Sequence, residues 1–147
     1  MAMGQWFECK IQYEKEKEKE VRVKVTEPYL VDALNFTEAE SRVTQEMQLY
    51  GHGEFTVADI KRVNYRELFN MEDNSSDKWY KCKLAFITLD EKTQAEKRST
   101  FFVLVKAGSL RQAVEVLTKQ MDKGMADYQI LSVAETAIVD VYPYQAQ

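Results

Sequence analysis

The chain has 147 residues, of which 45% are hydrophobic and 30% charged, and its formal net charge is -4. This composition is ordinary for a globular protein, and the length fits one compact domain or two small halves. The mild negative charge does not favour a general nucleic-acid-binding protein, which usually carries a basic surplus. With only 5 Gly and 2 Pro, the chain is not expected to be disordered.

The N-terminal segment and the cysteines bear on the cellular compartment. Residues 1–5 have neither a charged region nor an apolar core, so we expect no signal peptide there. No apolar run approaches the ~20 residues that a membrane span requires. Two Cys without a secretory signal are typical of reduced thiols. We therefore expect a cytoplasmic protein that has no membrane partner.

The rarest residues of the chain occur twice in register. The segment Trp6-Phe7-Glu8-Cys9-Lys10 matches Trp79-Tyr80-Lys81-Cys82-Lys83, aromatic over aromatic and cysteine over cysteine. Further on, Leu30-Val31-Asp32-Ala33 matches Leu104-Val105-Lys106-Ala107, and one inserted residue is all that the alignment needs. Extended self-similarity of this kind is typical of a repeated folding unit.

We therefore predict a tandem duplication of a β-β-α-β unit within one compact domain. The first repeat is expected at residues 5–69 and the second at 78–144, with an acidic, serine-containing linker at 70–77.

The first strand of each copy alternates between apolar and other residues. In the first copy one set is expected to face the core: Phe7, Cys9, Ile11 and Tyr13. A charged turn is predicted at 14–20 in the first copy and at 90–97 in the second. Its alternating charges are typical of a solvated turn that keeps a sheet edge from pairing. The second strand is predicted at 21–31 and at 100–105.

Both predicted helices begin with a residue pair that is typical of a capping box, worth about 1 kcal/mol per cap: Asn35 with Glu38, and Ser109 with Gln112. Apolar residues at helical spacing predict the buried face of each helix. They are Phe36, Ala39, Val43, Met47 and Tyr50 in the first helix, and Leu110, Ala113, Leu117 and Met121 in the second. Gly51 and Gly124 are expected to end the helices in a left-handed conformation.

A third strand closes each copy, and its apolar phase slips after Val57 and after Ile130. A β-bulge accounts for both slips. The copies diverge afterwards: residues 138–142 read as a strand, whereas 64–69 read either as a short helix or as a frayed strand end.

These elements predict an α+β fold, a mainly antiparallel sheet with two helices packed on it. A helix between the second and third strands makes a right-handed crossover, so those strands run parallel. Placing the first strand between them gives the order second-first-third. One continuous sheet and two separate sheets both satisfy this order.

No catalytic motif stands out from the sequence. There is no Gly-rich phosphate loop, nucleophile elbow or His-based metal motif. The single His52 and two cysteines cannot supply the four ligands of a structural zinc site, and inward Cys9 and Cys82 predict packing. Carboxylate pairs such as Asp32 with Glu27 stay open as an acid and a base. We expect a protein that is not an enzyme and holds no cofactor or metal.

One surface merits consideration as a binding site. Alternation places both tryptophans on the strand faces opposite the cysteines, near lysines, and the candidate residues are Trp6, Lys10, Trp79, Lys81 and Lys83. Structural packing or a subunit contact is the favoured interpretation. Our main hypothesis is a non-enzymatic interaction module that binds an unknown protein partner or forms a homodimer. The alternative is a nucleic-acid-binding protein whose tryptophans stack on bases while lysines contact phosphates.

The two copies differ on this surface, where Glu8 corresponds to Lys81 and Asp32 to Lys106. A function that uses one copy more than the other is expected to depend on these differences. The second, more basic copy is the favoured one.

Four segments resemble a known family: Trp6-Phe7-Glu8-Cys9-Lys10, residues 25–33, residues 77–81 and residues 132–136. They make the chain, over roughly residues 5–144, similar to the uncharacterised domain-of-unknown-function family 4494 of gut Bacteroidetes. The resemblance implies a bacterial, cytoplasmic protein with no assigned activity. It offers no catalytic or binding residues to carry over.

Overall fold

The computed structural model describes residues 5–49 and 53–144. Their helices and strands follow in the order β1 (Gln5–Lys17), β2 (Val21–Ala33), α1 (Phe36–Leu49), β3 (Phe55–Val63), β4 (Glu67–Phe69), β5 (Lys78–Leu89), β6 (Glu96–Ala107), α2 (Leu110–Met121), β7 (Asp127–Glu135) and β8 (Asp140–Tyr142). A 3-10 turn at Glu18–Glu20 joins β1 to β2. Two helices and mainly antiparallel strands confirm the predicted α+β fold.

The strands form two four-stranded sheets, with the orders β3-β1-β2-β8 and β7-β5-β6-β4. In each sheet the first strand lies between the second and third and is antiparallel to both, which confirms the predicted order. A short fourth strand then pairs in parallel with the second strand. β8 pairs with residues 29–31 of β2, and β4 pairs with residues 103–105 of β6.

The chain divides into two compact units, one of residues 5–64 with 137–144 and the other of residues 65–136. β4 follows β3 along the chain but belongs to the sheet of the second unit, and β8 belongs to the sheet of the first. The predicted repeats, residues 5–69 and 78–144, rest on sequence similarity, so the duplication stays a prediction.

Each unit has its own core, between one face of its sheet and its helix. The buried residues of the first core are Phe7, Cys9, Ile11, Tyr29, Val31, Ala33, Ala39, Val43 and Met47. Those of the second are Tyr80, Cys82, Leu84, Val103, Val105, Ala107, Ala113 and Leu117. The buried faces of the strands were predicted from their alternation, and those of the helices from the central apolar residues at helical spacing. Phe36 and Leu110 are about half exposed because each is the first residue of its helix.

Both capping boxes are confirmed. The Asn35 Oδ1 accepts from the Glu38 N–H at 2.8 Å, and the Ser109 Oγ accepts from the Gln112 N–H at 3.1 Å. Each reciprocal bond reaches one residue before the cap: the Glu38 carboxylate accepts from the Leu34 N–H at 3.2 Å, and the Gln112 side chain accepts from the Gly108 N–H at 2.7 Å.

The C-terminus of α2 differs from the prediction. α2 ends at Met121, where the Asp122 N–H donates to the Thr118 carbonyl at 2.9 Å. Gly124 lies beyond that end and is not left-handed, so the expectation for it is wrong. Tyr50, Gly51 and His52 lie outside the described residues.

Both predicted β-bulges are confirmed. The pairing of β1 with β3 passes from Asp59 to Val57 and skips Ala58. The pairing of β5 with β7 passes from Ser132 to Ile130 and skips Leu131. The slip in the apolar pattern therefore has the cause that the sequence indicated.

The predicted charged turns are too long. β1 stays paired with β2 through Lys17, so the first turn begins later than predicted. The second turn begins after Leu89 as predicted, but it ends early because β6 starts at Glu96. Opposite charges face each other across the first of these hairpins, since Glu14 lies opposite Lys24 and Glu16 opposite Arg22. Cross-strand pairs of this kind support a strand ladder, which a charge run in a single strand does not reveal.

The predicted linker between the repeats forms a series of hydrogen-bonded turns. Asn70 takes the left-handed conformation, with φ 65°, which Asn tolerates better than most residues. Its side chain donates to the Lys106 carbonyl at 2.9 Å and to Asp73 at 3.3 Å. Immediately before this turn, residues 67–69 form strand β4, so the helical alternative for 64–69 is wrong.

Candidate interaction surface

Each sheet has a second face, opposite its helix, which we call the helix-free face. Directly paired residues of neighbouring strands share a face, so the strand register shows which side chains lie there. All five candidate residues lie on the helix-free faces, Trp6 and Lys10 in the first unit and Trp79, Lys81 and Lys83 in the second. The alternation with the inward cysteines placed them correctly.

The exposure of these five residues is uneven. Lys10 and Lys81 are exposed, whereas Trp6 and Lys83 are half-buried. Trp79 is only 2% exposed. Among the candidates of the second unit, Lys81 is therefore accessible, Lys83 is partly accessible, and Trp79 is not.

The helix-free face of the second sheet is basic between Trp79 and Ala85. Lys106 lies opposite Trp79, so this stretch carries three lysines, which we call the lysine face: Lys81, Lys83 and Lys106. Their cross-strand neighbours on this face are Leu104, Ala134, Phe102 and Ser132, none of which is acidic. From the sequence, Lys106 was singled out only because it corresponds to Asp32 in the first copy, and Phe102 was not singled out.

The corresponding face of the first sheet has a different charge. Two lysines there, Lys10 and Lys61, stand among three carboxylates, those of Glu8, Asp32 and Asp59. The Lys61 Nζ lies 3.5 Å from the Glu8 carboxylate. The difference in charge between the copies that the sequence indicated is therefore present on equivalent faces of the two sheets.

Both aromatic rings of the lysine face are covered by lysines of the chain itself. The Lys106 Nζ lies 5.7 Å from the centroid of the Trp79 ring, and the Lys81 Nζ lies 4.6 Å from that of Phe102. These distances are typical of cation–π contacts. The backbone of Trp79 is also held, because its carbonyl accepts from the N–H and the hydroxyl of Thr136, both at 2.8 Å.

The two cysteines have the packing role that the alternation indicated. Cys9 and Cys82 are fully buried in the two cores, and neither forms a disulfide. Burial raises the pKa of each thiol to about 12, and nearby Glu8 and Asp59 add to the effect at Cys9. Thiols in this state are poor nucleophiles at neutral pH.

The acidic pair considered from the sequence does not meet. Glu27 lies opposite Ile11 on the helix-packed face of β2, whereas Asp32 lies opposite Trp6 on the helix-free face. Over residues 5–49 and 53–144, no three His, Cys, Asp or Glu residues are grouped so that they could hold a metal ion.

An open groove lies at the same end of each sheet, where the third strand begins. The groove of the first unit has a volume of about 950 Å³, and its lining includes Tyr13, Arg22 and Phe55. The groove of the second unit has about 580 Å³, and Tyr128 lies in its wall. The Tyr128 hydroxyl donates to Asp122 at 2.5 Å, which raises its pKa. Burial and then Glu27 raise the pKa of Tyr13, so both phenols stay protonated at neutral pH.

Within the part of the chain that the structure covers, no helix combines the length and apolarity needed to cross a bilayer.

Comparisons with known proteins give one match. The family model described as "Domain of unknown function (DUF4494)" matches residues 5–144. No curated protein and no solved structure matches the chain. The comparisons therefore assign no activity, and a proposal about function has to rest on the chemistry of the helix-free faces.

Proposed function

Because the chain belongs to the DUF4494 family, whose function is unknown, we propose a function from its own residues. The protein is a non-enzymatic, cytoplasmic interaction module, and the lysine face of its second unit binds an acidic segment of a protein partner. The observation that carries this proposal is the group of three lysines, Lys81, Lys83 and Lys106, with no carboxylate directly opposite any of them.

Lysines on neighbouring strands repel one another, and an anionic partner relieves that repulsion. Lys81 is exposed and Lys83 is half-buried, so Lys81 is the more accessible of the two to such a partner. The equivalent face of the first sheet lacks this property because Glu8 pairs with Lys61. Binding is therefore expected to depend on the second unit.

Nucleic acid is the second candidate, and the same lysines favour it. Base stacking, however, needs an accessible ring. Trp79 is almost fully buried and has Lys106 near its ring, and Lys81 lies over Phe102. The covered rings favour recognition by charge, which suits an acidic polypeptide better than a strand of stacked bases.

The cytoplasmic assignment is supported by two free, buried thiols, since disulfides are rare in reducing compartments. The non-enzymatic part is supported by the raised pKa of both cysteines and by the separation of Glu27 from Asp32 across β2. Self-association as a homodimer is a further part of the proposal, and light scattering over a range of protein concentrations tests it.

Binding is tested with fluorescently labelled polyglutamate and with a labelled single-stranded oligonucleotide, each followed by anisotropy at low and high salt. We expect the wild-type protein to bind polyglutamate and the double variant Lys81→Gln/Lys83→Gln to bind it about tenfold more weakly. The matched control is Lys10→Gln/Lys61→Gln, which removes the same number of charges from the first sheet and should bind like the wild type.

Two results would overturn the proposal. Equal weakening in both double variants means that net charge alone governs binding. Tighter binding of the oligonucleotide, with a steep salt dependence, establishes the nucleic-acid alternative instead.

A further inference from the structure

β2 has a strand neighbour on its outer side along only part of its length. β8 pairs with residues 29–31, and the Val139 N–H donates to the Pro28 carbonyl at 2.9 Å. In the described part of the chain, no strand pairs with the outer side of residues 21–27, which we call the β2 edge. An unpaired edge presents backbone N–H and C=O groups on which another strand can build.

The side chains of the β2 edge alternate in a simple way. Val21, Val23 and Val25 share one face of the hairpin, where the row ends at Glu27. Arg22 and Lys24 lie on the other face, opposite Glu16 and Glu14 of β1. Val21 is 56% exposed, and the Arg22 side chain is 73% exposed. Arg22 forms an ion pair with Glu14 at 3.6 Å, but so exposed a pair contributes little and is readily exchanged for another carboxylate.

A strand added to this edge would place alternate side chains beside the valines and beside the two cations. Apolar residues suit the first row and acidic residues the second. We propose that the β2 edge binds an extended segment of a partner protein in which acidic and apolar residues alternate. The edge already accepts a strand in this manner, since β8 pairs with β2 immediately after Pro28.

A second copy of this chain is a poorer occupant. Antiparallel pairing of two β2 edges would bring Arg22 and Lys24 of one copy beside those of the other. Like charges in neighbouring strands destabilise a sheet. The edge therefore favours a different, acidic chain.

The second unit provides a natural contrast. Beyond its pairing with β4, the outer side of β6 at residues 96–101 is likewise unpaired among the residues that the structure describes. Lys97, Ser99 and Phe101 share one face there, so no apolar row runs beside the cations. We expect this edge not to bind the same segment.

The proposal is tested on the full chain with a synthetic peptide of alternating glutamate and valine, long enough to span the β2 edge. Calorimetry measures binding, and hydrogen exchange locates it. We expect slowed amide exchange at residues 21–27 and no change at 96–101.

Two variants test the two rows of side chains. Arg22→Gln/Lys24→Gln should weaken binding about tenfold, and so should Val21→Ser/Val23→Ser. Far-ultraviolet circular dichroism checks that both variants keep their strands.

The matched control is Lys97→Gln/Arg98→Gln, which removes two cations from the β6 edge and should leave binding unchanged. A peptide of alternating lysine and valine should not bind. The proposal falls if the glutamate–valine peptide protects no amide of residues 21–27, or if both double glutamine variants lose the same affinity. Because Lys81 and Lys83 lie in the other unit, Lys81→Gln/Lys83→Gln should bind this peptide like the wild type, which separates the proposal from that for the lysine face.

Discussion

Tyr142 of β8 stacks on Tyr29 of β2, with the ring centroids 6.1 Å apart and the ring planes inclined by 12°. The next segment of the chain is tied to α1, because the Arg42 guanidinium donates to the Pro143 carbonyl at 3.0 Å and also to the Asp32 carbonyl. The last described residues therefore complete the core of the first unit, although they follow the whole of the second unit in the sequence.

The contribution of β8 can be measured with two valines of the same segment. Val141 is 7% exposed and Val139 is 43% exposed. We expect Val141→Ala to lower the free energy of unfolding by about 2 kcal/mol, through lost burial and the cavity left behind. Val139→Ala should cost less than about 0.5 kcal/mol. Urea denaturation compares the two, and equal effects would mean that the burial of Val141 in β8 does not stabilise the fold.

The helix caps offer a second measurement. Asn35→Ala and Ser109→Ala each remove the acceptor of one backbone N–H, that of Glu38 or of Gln112. We expect each to lower the unfolding free energy by about 1 kcal/mol. Asn35→Asp and Ser109→Asp keep an acceptor and should cost much less. Loss of the same stability in the Asp variants would contradict the capping role.

How far the sequence predicts this fold depends on the length of each pattern. The bulges at Ala58 and Leu131 and the two cores follow from apolar patterns that extend over whole strands and helices, and the two caps follow from local residue pairs. A strand was predicted at 138–142, which contains β8, and a frayed strand end was one alternative for 64–69, but the pairing of these segments was not predicted. β4 and β8 are three residues long, and each pairs with a strand distant in sequence. Their membership in the other repeat's sheet is a tertiary property that local pattern does not contain.

The candidate surface was also predicted only in part. Strand alternation placed Trp6, Lys10, Trp79, Lys81 and Lys83 on the correct faces. It did not predict that Trp79 would be buried, because exposure depends on everything that packs around a face and not on the strand itself.

The buried state of Trp79 predicts a spectroscopic difference between the two tryptophans. In the variant Trp6→Phe, the remaining Trp79 should emit at a shorter wavelength than the average of the wild-type protein, and acrylamide should quench it less. Trp6 is half-buried and should account for most of the quenching in the wild type. Strong quenching of Trp79 in folded Trp6→Phe would show that its ring is open to solvent, which would restore the case for base stacking.

Asp73 should titrate well below an ordinary aspartate. Its carboxylate accepts from the Ser75 hydroxyl at 2.5 Å and the Ser76 hydroxyl at 2.8 Å, and such bonds favour the charged form. They lower the pKa of Asp73 from 3.8 to about 2. The bonds therefore contribute stability that is present above pH 3.8 and is lost as the pH falls through about 2.

Carbon-13 NMR of the carboxyl groups measures this titration. The double variant Ser75→Ala/Ser76→Ala should raise the pKa of Asp73 toward 3.8, whereas Ser99→Ala on β6 should leave it unchanged. A midpoint near 3.8 in the wild type would mean that the turn before β5 is not held by Asp73.

The two cysteines predict how stability changes at alkaline pH. Burial raises the pKa of Cys9 and Cys82 from 9.0 to about 12, so the folded state keeps both protons after the unfolded state has begun to lose them. Below pH 9 the thiols are protonated in both states and cause no dependence of stability on pH.

As the pH rises from 9 toward 12, ionisation of the thiols favours the unfolded chain, and the unfolding free energy falls. Tyr13 and Tyr128, whose pKa values are also raised, contribute in the same direction, so a variant is needed to isolate the thiols. Compared with the wild type, Cys9→Ala/Cys82→Ala should be less stable at pH 8 because it loses packing in both cores, yet its stability should fall less between pH 9 and 11. Urea denaturation at several pH values measures both effects, and an identical pH dependence in the two proteins would mean that the thiols are not buried as described.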